Sequence, residues 1–226
     1  MNDEIRIFPL GDNALTVEFG NNISRELNSR AVSLSNYFFI DPFPGFVEAV
    51  PAYASTSIFF DTLVVRGAFP EHSTAFAAVE AMARSVLESA ELSTANTSRL
   101  VEIPARFGGD YGPDLALLAE RTGLTEDEVV ELFTIRAYYV YMLGFLPGFS
   151  YMGEVDERIA APRRDSPRTL VPRGSIGIAG RQTGIYSLDS PGGWQLIGRT
   201  DVSMFDPAAD EPTYLRTGDD VRFVAI

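Results

Sequence analysis

Seven arginines stand between Asp156 and Thr200, at positions 158, 163, 164, 168, 173, 181 and 199, against four acids, Asp156, Glu157, Asp165 and Asp189. A guanidinium grips a carboxylate or phosphate through two parallel hydrogen bonds. Arg163 and Arg168 each follow a proline, whose fixed φ lowers the entropy lost in presenting them. They suit a small anionic ligand, the acidic edge of a partner, or a structural ion pair with Asp165 or Asp189. Arg199 follows Gly198 at the end of an apparent strand and poses the same choice. Gln182 and Thr183 sit in a Gly-rich turn, where an amide and a hydroxyl either orient an amide-bearing ligand or satisfy local backbone. Tyr186 and Trp194 are expected to wall a pocket or to fill a core. Phe145, Pro147 and Phe149 belong to a Pro-Gly turn carrying two aromatic rings. That turn either covers a groove on a partner or folds back on its own domain.

These residues are held by turns. Gly144-Phe145-Leu146-Pro147-Gly148-Phe149, Pro162-Arg163-Arg164-Asp165-Ser166-Pro167-Arg168, Val171-Pro172-Arg173-Gly174-Ser175, Gln182-Thr183-Gly184-Ile185-Tyr186, Ser190-Pro191-Gly192-Gly193-Trp194 and Ile197-Gly198-Arg199-Thr200 follow one another. Short strands broken this often by glycine and proline predict a barrel or sandwich. Strands are expected at 100–103, 138–143, 175–179, 184–188, 194–199 and 221–224. Asp114 is read as the start of a short helix to Arg121, stopped by Gly123. Thr125 and Glu128 have capping-box spacing for a second helix to about Phe133. Nearer the start, Leu15, Val17 and Phe19 alternate as in a strand, and Leu27, Ala31, Leu34 and Phe38 recur as in a helix. Strands are expected at 46–53 and 57–65, and a helix from about Ser73 to Ser89. This order predicts an α+β layer over residues 1–92. Ser93 to Ser98 has linker composition, and a second domain occupies 93–226.

Composition excludes several chemistries. The chain of 226 residues has no cysteine, so disulfides and thiolates are ruled out. All 18 basic residues are arginine, which removes Schiff-base and lysine phosphate-loop chemistry. The one histidine, His72, lies in a loop ahead of a helix, which leaves little for a Ser–His triad or a histidine metal site. No carboxylate cluster has metal-ligand spacing, and no metal site is expected. A net charge of −13 argues against nucleic acid as partner. The acidic opening and the lack of a long apolar run predict no membrane association and a cytoplasmic location.

The motif series, in this order and spacing, resembles the allophanate hydrolase subunit 1 family, which includes the 5-oxoprolinase subunit designated B and a sporulation-kinase inhibitor. The resemblance runs with few gaps from about Ile103 to Ile226 and more loosely before. It implies a ferredoxin-like N-terminal layer followed by a cyclophilin-like β-barrel. It also implies a larger partner subunit of the allophanate hydrolase subunit 2 family and, for the oxoprolinase, a third protein. The implied reaction is ATP-driven opening of 5-oxoproline to glutamate, with ATP and its magnesium as substrate of the complex rather than as a tightly bound group. In that reading Gln182 and Thr183 orient the lactam while arginines hold its carboxylate or a phosphate. Carboxyl transfer, as in urea carboxylase, and inhibition of a histidine kinase are the alternatives that the resemblance carries. Three positions depart from the family pattern. Phe133 precedes Thr134 where histidine is frequent, Arg173 replaces an alanine, and Ser187 replaces a proline.

Overall fold

The computed structural model describes residues 5–89 and 99–226, so the expected linker at 93–98 lies outside the described residues. The chain divides into two compact units, Met1–Asn96 and Thr97–Ile226.

The first unit contains β1 (Arg6–Pro9), β2 (Ala14–Glu18), α1 (Arg25–Ile40), β3 (Phe46–Pro51), β4 (Ser55–Phe60), α2 (Thr62–Ala68) and α3 (Ala75–Glu88). Ser24 caps α1 by accepting from the Leu27 N–H at 3.1 Å. The stripe Leu27, Ala31, Leu34 and Phe38 is buried against Leu15, Val17 and Ile58 of the sheet. Ser35 and Thr56 tie helix to sheet by donating to the carbonyls of Ala49 and Ala31, each at 2.7 Å. The strands pair antiparallel in the order β1-β2-β4-β3. Elements β2, α1, β3, β4 and α3 supply five of the six parts of a ferredoxin-like β-α-β-β-α-β unit. The sixth, an edge strand beside β2, comes from β1 at the start of the chain. The strand expected at 57–65 ends instead at Phe60. Asp61 Oδ1 accepts from the N–H groups of Leu63 at 2.9 Å and Val64 at 3.0 Å and starts α2. Only Val65 of that helix is buried, so a side-chain cap outweighs the β-propensity of Leu-Val-Val.

The second unit contains β5 (Leu100–Phe107), α4 (Leu115–Thr122), α5 (Glu126–Thr134), β6 (Ala137–Leu143), β7 (Ser150–Gly153), a 3₁₀ turn (Glu157–Ile159), β8 (Arg168–Val171), β9 (Ser175–Ala179), β10 (Gln182–Ile185), β11 (Ser190–Gly192), β12 (Gln195–Arg199) and β13 (Asp220–Ala225). Seven strands close a barrel in the order β10-β7-β6-β13-β5-β12-β9, while β8 and β11 form a separate ribbon. The pairing of β13 with β5 is parallel, and the rest of the barrel is antiparallel. The capping box at Thr125 and Glu128 is complete, with N–H···O distances of 3.2 and 2.7 Å. The barrel interior is filled by Ile103, Val140, Met152, Ile178, Ile197 and Val221. Phe133, where the resemblance leads one to expect histidine, is fully buried in this core, with its ring 4.9 Å from Tyr138 and 5.0 Å from Phe223. An apolar ring there serves packing.

A second apolar cluster joins Phe149, Val171, Ala179, Tyr186, Trp194 and Leu196. Leu196 and Ile197 are neighbours yet belong to different clusters. Successive strand residues point to opposite faces, so this cluster lies on the outer face of β12, opposite the barrel interior.

Candidate functional site

The outer cluster opens into a cleft of about 270 Å³ lined by Phe145, Phe149, Tyr151, Tyr186 and Trp194, with Arg163 and Arg164 among its polar residues. Phe149 is the hub of its wall. Its ring meets those of Tyr151, Tyr186 and Trp194 edge-on at 4.8, 5.2 and 5.5 Å. The turn before it is tight, with the Phe149 N–H donating to Leu146 O at 3.0 Å and Phe145 at φ 69°. Gly192 shapes the opposite wall, since a Cβ there would stand 2.3 Å from the Tyr186 hydroxyl oxygen. Burial pushes the Tyr186 phenol up, against a lowering backbone hydrogen bond with Trp194. Burial likewise raises Tyr151, with Arg163 opposing. No Ser, Thr, His, Asp or Glu stands among the residues lining this cleft.

The arginine segment is fastened by a residue whose importance the sequence concealed. Asp114 precedes α4 but makes no side-chain cap bond there. It is 4% exposed and turns to three donors instead. Its Oδ1 accepts from Arg164 Nη1 at 2.9 Å and Arg168 Nη2 at 2.6 Å, and its Oδ2 from the Leu196 N–H at 2.7 Å. Gln195 Nε2 donates to Pro162 O at 3.0 Å, and the Arg164 N–H to Gly193 O at 2.7 Å. The loop therefore sits firmly over the start of β12. Arg164 Nε and Arg168 Nη1 are buried and have no hydrogen-bond partner among the described residues. Arg163 is exposed and makes no ion pair among them.

The six expected ligand residues are not brought together. Arg163 and Tyr186 line the aromatic cleft. Arg168 is committed to Asp114, which corrects the reading of Asp114 as a plain helix start. Thr183 is fully buried, and its hydroxyl donates to Gly177 O at 2.9 Å; it serves β-sheet packing rather than a ligand. Gln182 opens β10 opposite Gly153 and Ala179 and lines none of these clefts. Arg199 borders a different cleft, its guanidinium 5.0 Å from the Tyr111 ring centroid. Of the expected interface residues, Phe145 is 61% exposed and Pro147 is exposed, but Phe149 is 1% exposed. Phe149 is a wall of the cleft and cannot meet a partner directly. Sequence reasoning missed Asp114 and Gln195. An Asp before a helix reads as a cap, and only its contact with residues 50 and 54 positions later shows otherwise. Among the described residues no group of three or more His, Cys, Asp or Glu could hold a metal ion, and no helix is long and apolar enough to cross a membrane.

The comparisons with known proteins agree with the fold. Residues 5–215 match the family described as carboxyltransferase domain, subdomain C and D. The chain is 44% identical to the 5-oxoprolinase subunit designated B in Bacillus subtilis (strain 168), over 98% of this chain and 92% of that protein. It is 45% identical to its namesake in Escherichia coli O157:H7, over 97% of this chain and 95% of that one. The crystal structure of TTHA0988 superposes with a TM-score of 0.80 at 36% identity, covering 99% of this chain and 40% of that longer chain. The chain belongs to the carboxyltransferase-domain family of subdomains C and D, with these two 5-oxoprolinase subunits as close relatives.

Proposed function

We propose that this chain is one subunit of a hetero-oligomeric, ATP-dependent hydrolase that opens the lactam of 5-oxoproline to glutamate, and that it is inactive alone. The composition of the cleft carries the reading: aromatic walls, a free guanidinium at Arg163, and no nucleophile or general base besides two phenols that burial keeps protonated. The two relatives that match over nearly all of both chains support it, since each is named as a subunit.

A five-membered lactam carrying a carboxylate suits such a cleft. Phe149, Tyr186 and Trp194 would take the flat ring and exclude water, while Arg163 would pair with the carboxylate and orient the carbonyl. Opening the ring adds the elements of water across the C–N bond: the hydroxyl goes to carbon and a proton to nitrogen. ATP, with its magnesium, would supply the phosphoryl group that activates the amide oxygen for that attack; a second water then releases it as inorganic phosphate, with ADP as the other product. This chain binds and orients; a larger subunit of the allophanate hydrolase subunit 2 family, with a third protein, completes the reaction. Phe145 is the exposed apolar residue best placed to meet that partner.

The test is to express the chain with and without a larger subunit of that family and follow glutamate formation from 5-oxoproline with ATP. The complex should turn over and the lone chain should not. Arg163→Ala in the complex should raise KM roughly ten- to a hundredfold, the loss of a charge-assisted hydrogen bond. Phe145→Ala should weaken co-purification while leaving the melting temperature nearly unchanged. Robust turnover by the lone chain, or an unchanged KM in Arg163→Ala, would refute the proposal.

A further inference from the structure

A second cleft lies elsewhere on the barrel unit. Its volume is about 280 Å³, and it shares no lining residue with the aromatic cleft. Arg173, Ser187 and Arg199 border it. Three far-apart stretches of chain meet here because backbone bonds draw them to Gly174. The Gly174 N–H donates to Tyr186 O at 2.7 Å, and the Thr200 N–H donates to Gly174 O at 3.0 Å. Gly174 has φ +79°, and a Cβ on it would stand 2.1 Å from Thr200 O. Only glycine permits this approach. The residues one step from each anchor are Arg173, Ser187 and Arg199.

We propose that Arg173, Ser187 and Arg199 form a binding site for a small phosphate-class oxyanion, separate from the aromatic cleft. Neither guanidinium has an ion pair among the described residues, and Arg199 is braced against Tyr111. The carboxylate on the wall, Asp201, is already taken by Arg106 at 2.6 Å. Asp189, nearby, accepts from the Arg173 backbone N–H at 2.7 Å. Ser187 is 6% exposed, and its buried hydroxyl has no hydrogen-bond partner among the described residues. A hydroxyl can rotate to donate to an anion. Two cations and a hydroxyl outnumber what one monocarboxylate needs, whereas a phosphate has acceptors for all three.

Arg173 and Ser187 reach the cleft from separate turns of the chain. They are 14 residues apart in sequence and border the same cleft. The inference does not depend on the lactam reading.

Calorimetric titration of the full chain tests it, with inorganic phosphate in one arm, adenosine monophosphate in another, and acetate at equal ionic strength as control. Phosphate or the nucleotide should bind saturably, and acetate should not. Tighter binding of phosphate means a free ion is the ligand; tighter binding of the nucleotide means a carried one. Arg173→Ala should weaken binding about tenfold or more, and Ser187→Ala less, with the unliganded melting temperature preserved. Arg163→Ala should bind like the parent. Absence of saturation in both arms, or binding that Arg173→Ala and Ser187→Ala leave unchanged, would overturn the assignment. If Arg173→Ala were to melt early, Ser187→Ala and Arg199→Gln would decide it alone.

Discussion

Arg164 and Arg168 occupy one proline-rich loop, and Arg173 and Arg199 another glycine-built corner, yet their circumstances are opposite. The first pair closes on a carboxylate that is 4% exposed, and the second faces a cleft with no ion pair among the described residues. Each of these arginines stands beside a proline, a glycine or another charged residue, and those neighbours do not separate the two pairs. What separates the two is Asp114, which lies far upstream and enters through the fold. An arginine's role here is decided by what stands opposite it, and a buried carboxylate converts anion binders into fasteners of a loop.

Removing that carboxylate should give the largest effect. Asp114→Ala leaves two guanidinium groups and the Leu196 N–H without their acceptor. Breaking a buried pair by deleting one partner costs about 3–5 kcal/mol. The low end is expected, because Arg164 and Arg168 keep 34% and 21% of their side-chain exposure. Urea unfolding checks this. A loss under about 1 kcal/mol would mean that the loop holds without Asp114, and the contrast between the two pairs would collapse.

Arg168→Ala comes next. It removes a charge-assisted bond but leaves Arg164 on the same carboxylate, so a loss of roughly 1.5–3 kcal/mol is expected. A double-mutant cycle with Asp114 should show strong coupling. Arg163→Ala, one residue before Arg164, should stay within about 0.5 kcal/mol of the parent in the same unfolding assay. Equal losses for the two variants would erase the distinction between fastener and free cation.

What was legible in the chain follows the same line. The capping box of Thr125 and Glu128 could be read because its partners are three residues apart and need only local backbone. The stripe of α1 was legible from its period, and the many-turned barrel from its punctuation. The helix at 62–68 was not, since one aspartate overrides three strand-forming residues. Nor was the parallel pairing of β5 with β13, which joins opposite ends of the unit. At the site, wall and core were both open for Tyr186 and Trp194, and the two residues are buried while lining the cleft; the turn's choice between a partner and its own domain was not legible for Phe149, because its covering rings, Tyr186 and Trp194, arrive from later turns. For Thr183 the choice between a ligand and local backbone was open, and its hydroxyl donates to Gly177 O across the β9–β10 pairing.

A small loss is expected from a third arrangement, in which Asp156 receives Arg136 Nη2 at 2.7 Å and Arg158 Nη2 at 2.9 Å near the surface. The hydrogen bond from the Arg158 side chain, then that from its backbone N–H, holds the Asp156 carboxyl well below its ordinary value of 3.8. The folded state therefore binds this proton less readily than the unfolded chain. Its contribution to stability is complete above the unfolded value and fades as pH falls through the depressed folded one. Asp156→Asn should accordingly lower the urea midpoint slightly at about pH 7, and the gap between parent and variant should narrow as pH drops below about 4. Because Arg158 is 64% exposed, the gap should also shrink in high salt. A gap that stays constant down to about pH 3 would show that Asp156 acts as a cap on the 3₁₀ turn rather than through its charge. Outcome by outcome, the experiment places this pair between the two extremes: a carboxylate near the surface binds its arginines, but solvent and salt take back much of what burial secures at Asp114.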